Sequence, residues 1–323
     1  MKLRWGILGT ASIAETFVQA VRRSDTSVVQ AVASRDGARA KAWAADMGIP
    51  ETYGAYDDLL AAGNVDAVYV PLPNALHAPW TIRSLEAGIP VLCEKPFAMN
   101  AGEAREVMAV ADRTGLPVAE GFMYRFHPVF DAALRLLDDG VIGALVSIDS
   151  RFSFFEDDRT GVVASAALGG GALMDVGCYC VNLSRLVARS EPVRVTALQV
   201  GDAVDDTLMG IMEFPGGVLA RFETSIASAE DHRAEIRGTE GTLVLPDPWI
   251  PGREDTRIIV RRRGEPDAVI AVPGADTYRL EIEDFAAAVT TRRAPRWTGA
   301  DAVANMAVLD ALIAAARGPG VPC

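Results

Sequence analysis

Basic side chains are in short supply. The 323 residues carry 31 Lys and Arg against 43 Asp and Glu, a formal charge of −12, whereas a surface that neutralises a phosphate backbone needs the opposite balance. The one basic triplet, Arg261–Arg262–Arg263, reads as a solvated strand edge. Cysteine is as sparse: Cys93, Cys178, Cys180 and Cys323 form no recognisable disulfide framework in a chain of this length, which predicts reduced thiols. A metal is not expected, because the histidines nearest to Cys178-Tyr179-Cys180, His127 and His232, stand about 50 residues away without zinc-type spacing. No uninterrupted run of about 18 apolar residues is present. The N-terminus, MKLRWGILG, starts a strand at once and lacks an apolar run followed by a small-residue cleavage site. Together these absences predict a cytoplasmic protein with no nucleic-acid, membrane or metal partner.

What is present is apolar and regularly patterned. Half of the residues are hydrophobic, and the length exceeds what one core usually supports, so two domains are expected. From the start, strand-like and helix-like segments alternate: 3–8, 13–23, 28–33, 37–47, 56–62, 67–70, 75–87, 91–94, 101–114 and 118–121. That alternation predicts an α/β, doubly wound parallel sheet over residues 1–122. The pattern then changes to a helix at 128–137 and strands at 146–155, 193–200, 207–214, 218–226, 234–237, 242–245, 257–262 and 269–272, with Pro215-Gly216-Gly217 as a hairpin turn. With helices at 172–186, 279–290 and 300–316, residues 123–323 read as an α+β domain on an open, largely antiparallel sheet.

The first strand–helix junction carries Gly9-Thr10-Ala11-Ser12-Ile13-Ala14. Gly9, Ala11 and Ala14 hold the G-x-G-x-x-G/A spacing, in which backbone N–H groups and the positive helix end cradle a pyrophosphate. Ala11 departs from that fingerprint by one methyl. The second strand ends in Ser34-Arg35, where a protein that prefers NAD places a carboxylate for the ribose 2′-hydroxyl. A hydroxyl and a guanidinium suit a 2′-phosphate instead, so NADP is expected, with NAD possible. Asp36 competes as a ribose ligand, but its position before Gly37 fits a helix N-cap better.

Lys95 follows the apolar run Val91–Leu92–Cys93 and Glu94, at the carboxyl end of a buried strand, which is the edge where open α/β sheets bind ligands. A lysine there is either ion-paired, with Glu94 the nearest partner, or used for proton chemistry.

With GTASIA, Ser34-Arg35, PLPNALH (71–77), EKP (94–96) and GGGALMDVGCY (169–179) in this order, the chain resembles the glucose–fructose oxidoreductase/inositol dehydrogenase/rhizopine catabolism (Gfo/Idh/MocA) family over essentially its full length. The resemblance implies that Lys95 lies beside the nicotinamide and the reacting carbon. It implies that Pro71, Leu72, Pro73, Asn74 and His77 surround the nicotinamide ribose, with Glu94 nearby, and that Asp175 and Tyr179 complete the catalytic set; His77 reads equally as a satisfied helix-start residue. Spacing of i and i+4 would put the last two on one helix face. A phenol is a poor base unless a nearby cation favours the phenolate, which assigns Tyr179 the acid/base role, Lys95 its electrostatic partnership and Asp175 a substrate hydroxyl. Core packing of Tyr179, and pairing of Asp175 with Arg185 or Arg189, are the structural alternatives. Arg125 is expected to clamp substrate, with His127 a weaker candidate.

A tyrosine in place of histidine resembles the sugar oxidoreductase, aldose dehydrogenase and dihydrodiol dehydrogenase branches. The expected activity is hydride transfer at a secondary or anomeric CH–OH of a sugar or polyol. NAD-assisted glycoside hydrolysis and a non-catalytic dinucleotide sensor are the rivals. The family also implies a homo-oligomer, dimer or tetramer, through the open sheet of the second domain. The loops 156–166 and 247–255 carry no decodable specificity pattern.

Overall fold

The computed structural model describes residues 2–318, which divide into two compact units. One comprises the chain as far as Met123 together with Asp276–Met306, the other Tyr124–Ala275 together with the residues from Ala307 on.

The first unit is a six-stranded sheet. Its elements run β1 Leu3–Leu8, α1 Ser12–Arg22, β2 Ser27–Ala33, α2 Gly37–Asp46, β3 Glu51–Tyr53, α3 Tyr56–Ala61, β4 Ala67–Val70, α4 His77–Glu86, β5 Val91–Glu94, α5 Ala101–Thr114 and β6 Val118–Gly121. The strand order is β3-β2-β1-β4-β5-β6 and every pairing is parallel. β4, β5 and β6 are buried along their whole length, which is why β4 and the first three residues of β5 read as continuous apolar runs rather than alternating ones. The three-residue β3 falls below the length at which a sequence pattern is visible. On α1 the apolar face carries Phe17, stacked on Tyr69 at 3.9 Å and set edge-on to Trp5 at 5.2 Å. Each such buried side chain contributes about 1.5–3 kcal/mol.

The expected boundary at residue 122 assigned everything beyond it to a second domain, and the structure differs. α8, Thr277–Thr291, belongs to the first unit, where Ile282, Phe285 and Ala286 join the core around Trp5 and Phe17. Arg23 ties its start down by a 2.5 Å ion pair to the N-cap residue Asp276. An amphipathic helix far along the chain gives no sign in sequence of which sheet will receive its apolar face.

The second unit opens with α6, Pro128–Asp138, and holds the strands β7 Leu145–Phe155, β8 Arg194–Val200, β9 Thr207–Glu213, β10 Leu219–Ser225, β11 Ala227–Gly238, β12 Gly241–Leu245, β13 Thr256–Arg262 and β14 Ala268–Val272. They form one sheet in the order β14-β13-β12-β11-β7-β10-β9-β8, antiparallel except for the β7–β10 pair. Pro215-Gly216-Gly217 makes the β9–β10 hairpin. β11 is longer than the expected strand 234–237, because the polar residues before it also pair with β7 across a register shift. α7, Cys178–Ala188, packs against β7 and β10. Residues alternate cleanly in β9: Leu208 and Met212 point to the buried face, whereas Met209 and Ile211 are exposed. Leu198 and Val200 of β8 are exposed as well.

Candidate active site

Gly9 ends β1 at φ +115° with its N–H on the Ala33 carbonyl at 2.8 Å. A Cβ there would press on Leu72 Cδ2 at 3.0 Å, so this glycine is required by both conformation and space. Ala11 occupies the N-cap of α1 and offers no side-chain hydrogen bond. The first N–H groups of the helix are thereby left for an anion, and Thr10 to Ile13 form a partly exposed rim around them. The residues fit a dinucleotide pyrophosphate. Pro71 and Leu72 are buried, and Pro73 and Asn74 partly exposed, at the carboxyl end of β4, the strand beside β1.

At the end of β2, Ser34 is nearly buried and accepts the Asp36 N–H at 3.3 Å, and Arg35 is exposed. Asp36 caps α2 by accepting from Ala38 N at 2.9 Å and Arg39 N at 3.1 Å. Its Oδ1 is engaged there, as the helix N-cap reading expects. The Ser34-Arg35 pattern does not by itself point to Arg39. Its guanidinium donates to the Thr10 carbonyl at 3.3 Å, and together with Arg35 it opposes the upward push of burial on the Tyr56 phenol. Two guanidiniums thus stand beside the glycine turn. The signal was available as a second arginine in the first turn of α2.

Lys95 is half-buried at the end of β5, and the Lys95–Pro96 bond is cis. Its backbone N–H donates to Glu94 Oε2 at 3.2 Å, while Tyr69 Oη donates to Glu94 Oε1 at 2.5 Å. Behind this pair, burial and then the charge of Glu94 push the Glu281 carboxyl well above the usual carboxylate range and raise the Tyr278 and Tyr69 phenols. His77 is fully buried, with Nδ1 at 2.7 Å from the Pro96 carbonyl and Nε2 at 2.6 Å from the Leu72 carbonyl. Glu94 and His77 make these contacts inside the first unit, and the reading of His77 as a satisfied residue at the start of a helix fits its two carbonyl partners.

In the second unit three of the four glycines of the GGGALMDVGCY segment answer a contact. A Cβ on Gly170 would collide with the Val163 carbonyl, and one on Gly171 with Asp205 Oδ1. One on Gly177 would lie 3.0 Å from Leu173 and Thr224. The helix begins where the Asp205 carbonyl accepts Ala172 N at 2.8 Å and Asp205 Oδ2 accepts Leu173 N at 2.7 Å. Burial pushes the Asp205 carboxyl up to about 6. Leu173–Gly177 is a π-helical turn that passes into α7, so the simple i, i+4 face expected for Asp175 and Tyr179 is replaced by a wider turn at Asp175. Such turns recur at functional sites.

Tyr179 is 6% exposed and sits among Tyr124, Phe152 and Trp249, with ring centroids 5.2–6.0 Å away. Trp249, from the undecodable loop, stacks on Phe152 and donates Nε1–H to the Arg151 carbonyl at 2.7 Å. Asp175 is partly buried. Arg185 is held by Glu191 through two 2.7 Å bonds, and Arg189 by Asp138 at 2.6 Å. Arg125, the expected substrate clamp, is only 4% exposed. His127 is fully buried and caps α6 by accepting Val129 N at 3.1 Å, a structural role in place of the expected cleft lining.

A parallel sheet in the order 3-2-1-4-5-6, with a glycine turn and an uncapped helix at the point where strand order reverses, defines a dinucleotide-binding α/β domain. Residues 3–122 match the oxidoreductase family with an NAD-binding Rossmann fold, and residues 130–244 match the GFO/IDH/MocA C-terminal domain. The chain belongs to the GFO/IDH/MocA oxidoreductase family. It is 37% identical to D-xylose 1-dehydrogenase (NADP(+)) 2 of Haloferax volcanii, over 98% of both chains. It is 34% identical to trans-1,2-dihydrobenzene-1,2-diol dehydrogenase of Sus scrofa, over 85% of this chain and 83% of that one. The crystal structure of KijD10, a 3-ketoreductase from Actinomadura kijaniata in complex with NADP and TDP-benzene, superposes with a TM-score of 0.92 at 31% identity, over 98% of each chain.

Proposed function

We propose that the chain is an NADP-dependent oxidoreductase that transfers a hydride to or from a secondary or anomeric CH–OH carbon of a sugar or related polyol. The observation that carries this reading is Lys95 at the carboxyl end of β5, on the same sheet edge as the glycine turn. The xylose dehydrogenase, similar over nearly its full length and named for NADP(+), supports the cofactor and substrate class.

The nicotinamide, when bound, supplies or accepts the hydride. The open N–H groups at the start of α1 hold the pyrophosphate, and Ser34, Arg35 and Arg39 hold the 2′-phosphate. The Lys95 ammonium hydrogen-bonds the carbinol oxygen and stabilises it as the proton leaves. Tyr179 takes that proton or returns it, since a phenol serves as a base near neutrality only when a cation favours its anion. Asp175 accepts from a neighbouring substrate hydroxyl. Phe152, Tyr124 and Trp249 exclude water from the phenol. Those same rings favour a second reading, oxidation of a trans-dihydrodiol, because an apolar ring fits an aromatic wall. The proposal includes assembly through the exposed face of the eight-stranded sheet, and action in the cytoplasm, which the free thiols of Cys93, Cys178 and Cys180 support; Cys323 lies outside the described residues.

The test is a screen of aldoses, ketosugars, polyols and trans-dihydrodiols, run in both directions with NADP(H), on the wild type and Lys95→Met. Turnover on one of these classes, lowered about 100-fold or more in the variant with NADP binding retained, is expected. Wild-type turnover by Lys95→Met sinks the mechanism.

A further inference from the structure

Leu173 opens the turn that carries Asp175, and both of its backbone groups are engaged. Its N–H donates to Asp205 Oδ2 at 2.7 Å, and its carbonyl accepts the Cys178 N–H five residues on, the bond that makes Leu173–Gly177 wider than an α-helical turn. The Asp205 carbonyl takes the preceding N–H, that of Ala172, at 2.8 Å. Asp205 thus grips two successive N–H groups where the wide turn begins. Gly171, just before them, leaves room for the carboxylate, since a Cβ there would collide with Asp205 Oδ1. The grip is itself anchored. Asp206, the next residue, donates its N–H to the Val200 carbonyl of β8 at 2.7 Å and accepts Ile226 N, just past β10, at 2.9 Å, so Asp205 is tied to the eight-stranded sheet. Thr224 of β10 adds a further tie, from its Oγ1 to the Ala172 carbonyl at 3.1 Å.

Asp175 and Tyr179 are therefore placed by different means. Tyr179 is caged by the rings of Tyr124, Phe152 and Trp249, with centroids 5.2–6.0 Å away. Asp175 is partly buried in the middle of the wide turn, and the direction it faces follows from how that turn is wound. Were the turn to relax towards 3.6 residues, Asp175 would rotate about the helix axis while the rings kept Tyr179 in place. We propose that Asp205 is a positioning residue for substrate recognition: by holding Leu173 it sets the wide turn, and with it where the Asp175 carboxylate meets a substrate hydroxyl, independently of Tyr179 and of the cofactor. The consequence is a split in the kinetics. Asp205 governs the KM for the sugar or polyol, and leaves proton transfer at Tyr179 and the KM for NADP alone.

The inference rests on the reading of Asp175 as the acceptor of a substrate hydroxyl. Its test is a set of variants assayed with NADP and D-xylose, or with the best substrate of the screen above where that sugar is not turned over. Asp205→Ala is expected to raise the KM for substrate about tenfold or more, with kcat within about threefold and the KM for NADP within about twofold. Asp205→Asn, which keeps an oxygen for Leu173 N, should return that KM to within about threefold of wild type. Added to Asp175→Ala, Asp205→Ala is expected to change kcat/KM by no more than about twofold, since it acts only through the carboxylate already removed. A lowered Tm with unchanged KM, equal losses in kcat and both KM values, no recovery in Asp205→Asn, or full additivity in the double variant overturns the proposal. Asp175→Ala separates the two readings. With a wild-type KM it removes the role of Asp175 and this inference with it; with a raised KM beside an unaffected Asp205→Ala, only the positioning role falls. Should Asp205→Ala not fold, Asp205→Ser decides, because its hydroxyl stops one bond short of Leu173 N: a raised KM is expected, and a wild-type KM overturns the role.

Discussion

Between Ser34 and Arg39 the choice of cofactor comes down to which charges are free. Asp36 is the only acid in this stretch, and its Oδ1 accepts from the N–H groups of α2. Arg35 and Arg39 then leave positive charge at the point where a ribose 2′-substituent would sit. Ser34-Arg35 was legible from sequence as a 2′-phosphate site; Arg39 was not, because its approach to Thr10 depends on how α2 is set against the glycine turn. Arg39→Ala should raise the KM for NADP about tenfold or more and leave that for NAD within about twofold, as for Arg35→Ala, since a charge-assisted hydrogen bond to phosphate is worth about 1.5–3 kcal/mol. Steady-state kinetics with both cofactors measure this, and equal effects on NAD and NADP would remove the assignment. His77 teaches the converse lesson. As a histidine at a strand-end loop it read equally as a cofactor contact and as a satisfied helix-start residue, and the two backbone carbonyls on its nitrogens fit the second reading.

Among the elements, the helix that carries Asp175 and Tyr179 was expected from its apolar spacing, yet its first turn is π-helical and its cap comes from Asp205, about 30 residues away in sequence. No local pattern announces such a cap. The carboxyl of Asp205 has an ordinary value of 3.8 and is pushed up to about 6 by burial. The folded protein therefore holds a proton that the unfolded chain has already released. This contribution to stability is full below pH 4 and is lost as pH rises to about 6, at up to about 1.4 kcal/mol per unit. Asp205→Asn keeps an accepting oxygen for Leu173 N but cannot titrate. Relative to wild type it should gain stability between pH 4.5 and 7, by about 1–3 kcal/mol. Urea unfolding at the two pH values reads the difference, and a difference independent of pH would sink the argument.

In the whole molecule, each unit solves a different burial problem. The first covers its parallel sheet with helices that include α8, recruited from beyond residue 275. The second leaves one face of its sheet apolar and uncovered, with Leu198 72%, Val200 73%, Met209 53% and Ile211 50% exposed, together with a cavity of about 820 Å³ along β8, β9 and β10. Contiguous apolar patches of this kind mark association surfaces. A second copy of the chain on this face predicts a dimer or larger assembly by light scattering, converted to monomer by Leu198→Lys with Ile211→Lys. A monomeric wild type would reject the interface.

Periodicity and turn chemistry are local properties, and they sufficed for the sequence by itself to determine the parallel sheet of the first unit, the antiparallel character of the second, the glycine turn and the placement of Lys95 at a strand end. Each of those rests on residues within a few positions of one another. Only the tertiary structure decided that α8 belongs to the first unit, that Arg39 reaches Thr10, that His77 and Glu94 face inward, that Arg125 and His127 are buried, and that Asp205 caps the Tyr179 helix. Those facts depend on contacts between residues far apart in the chain, where the hydrophobic effect selects a face but not a partner.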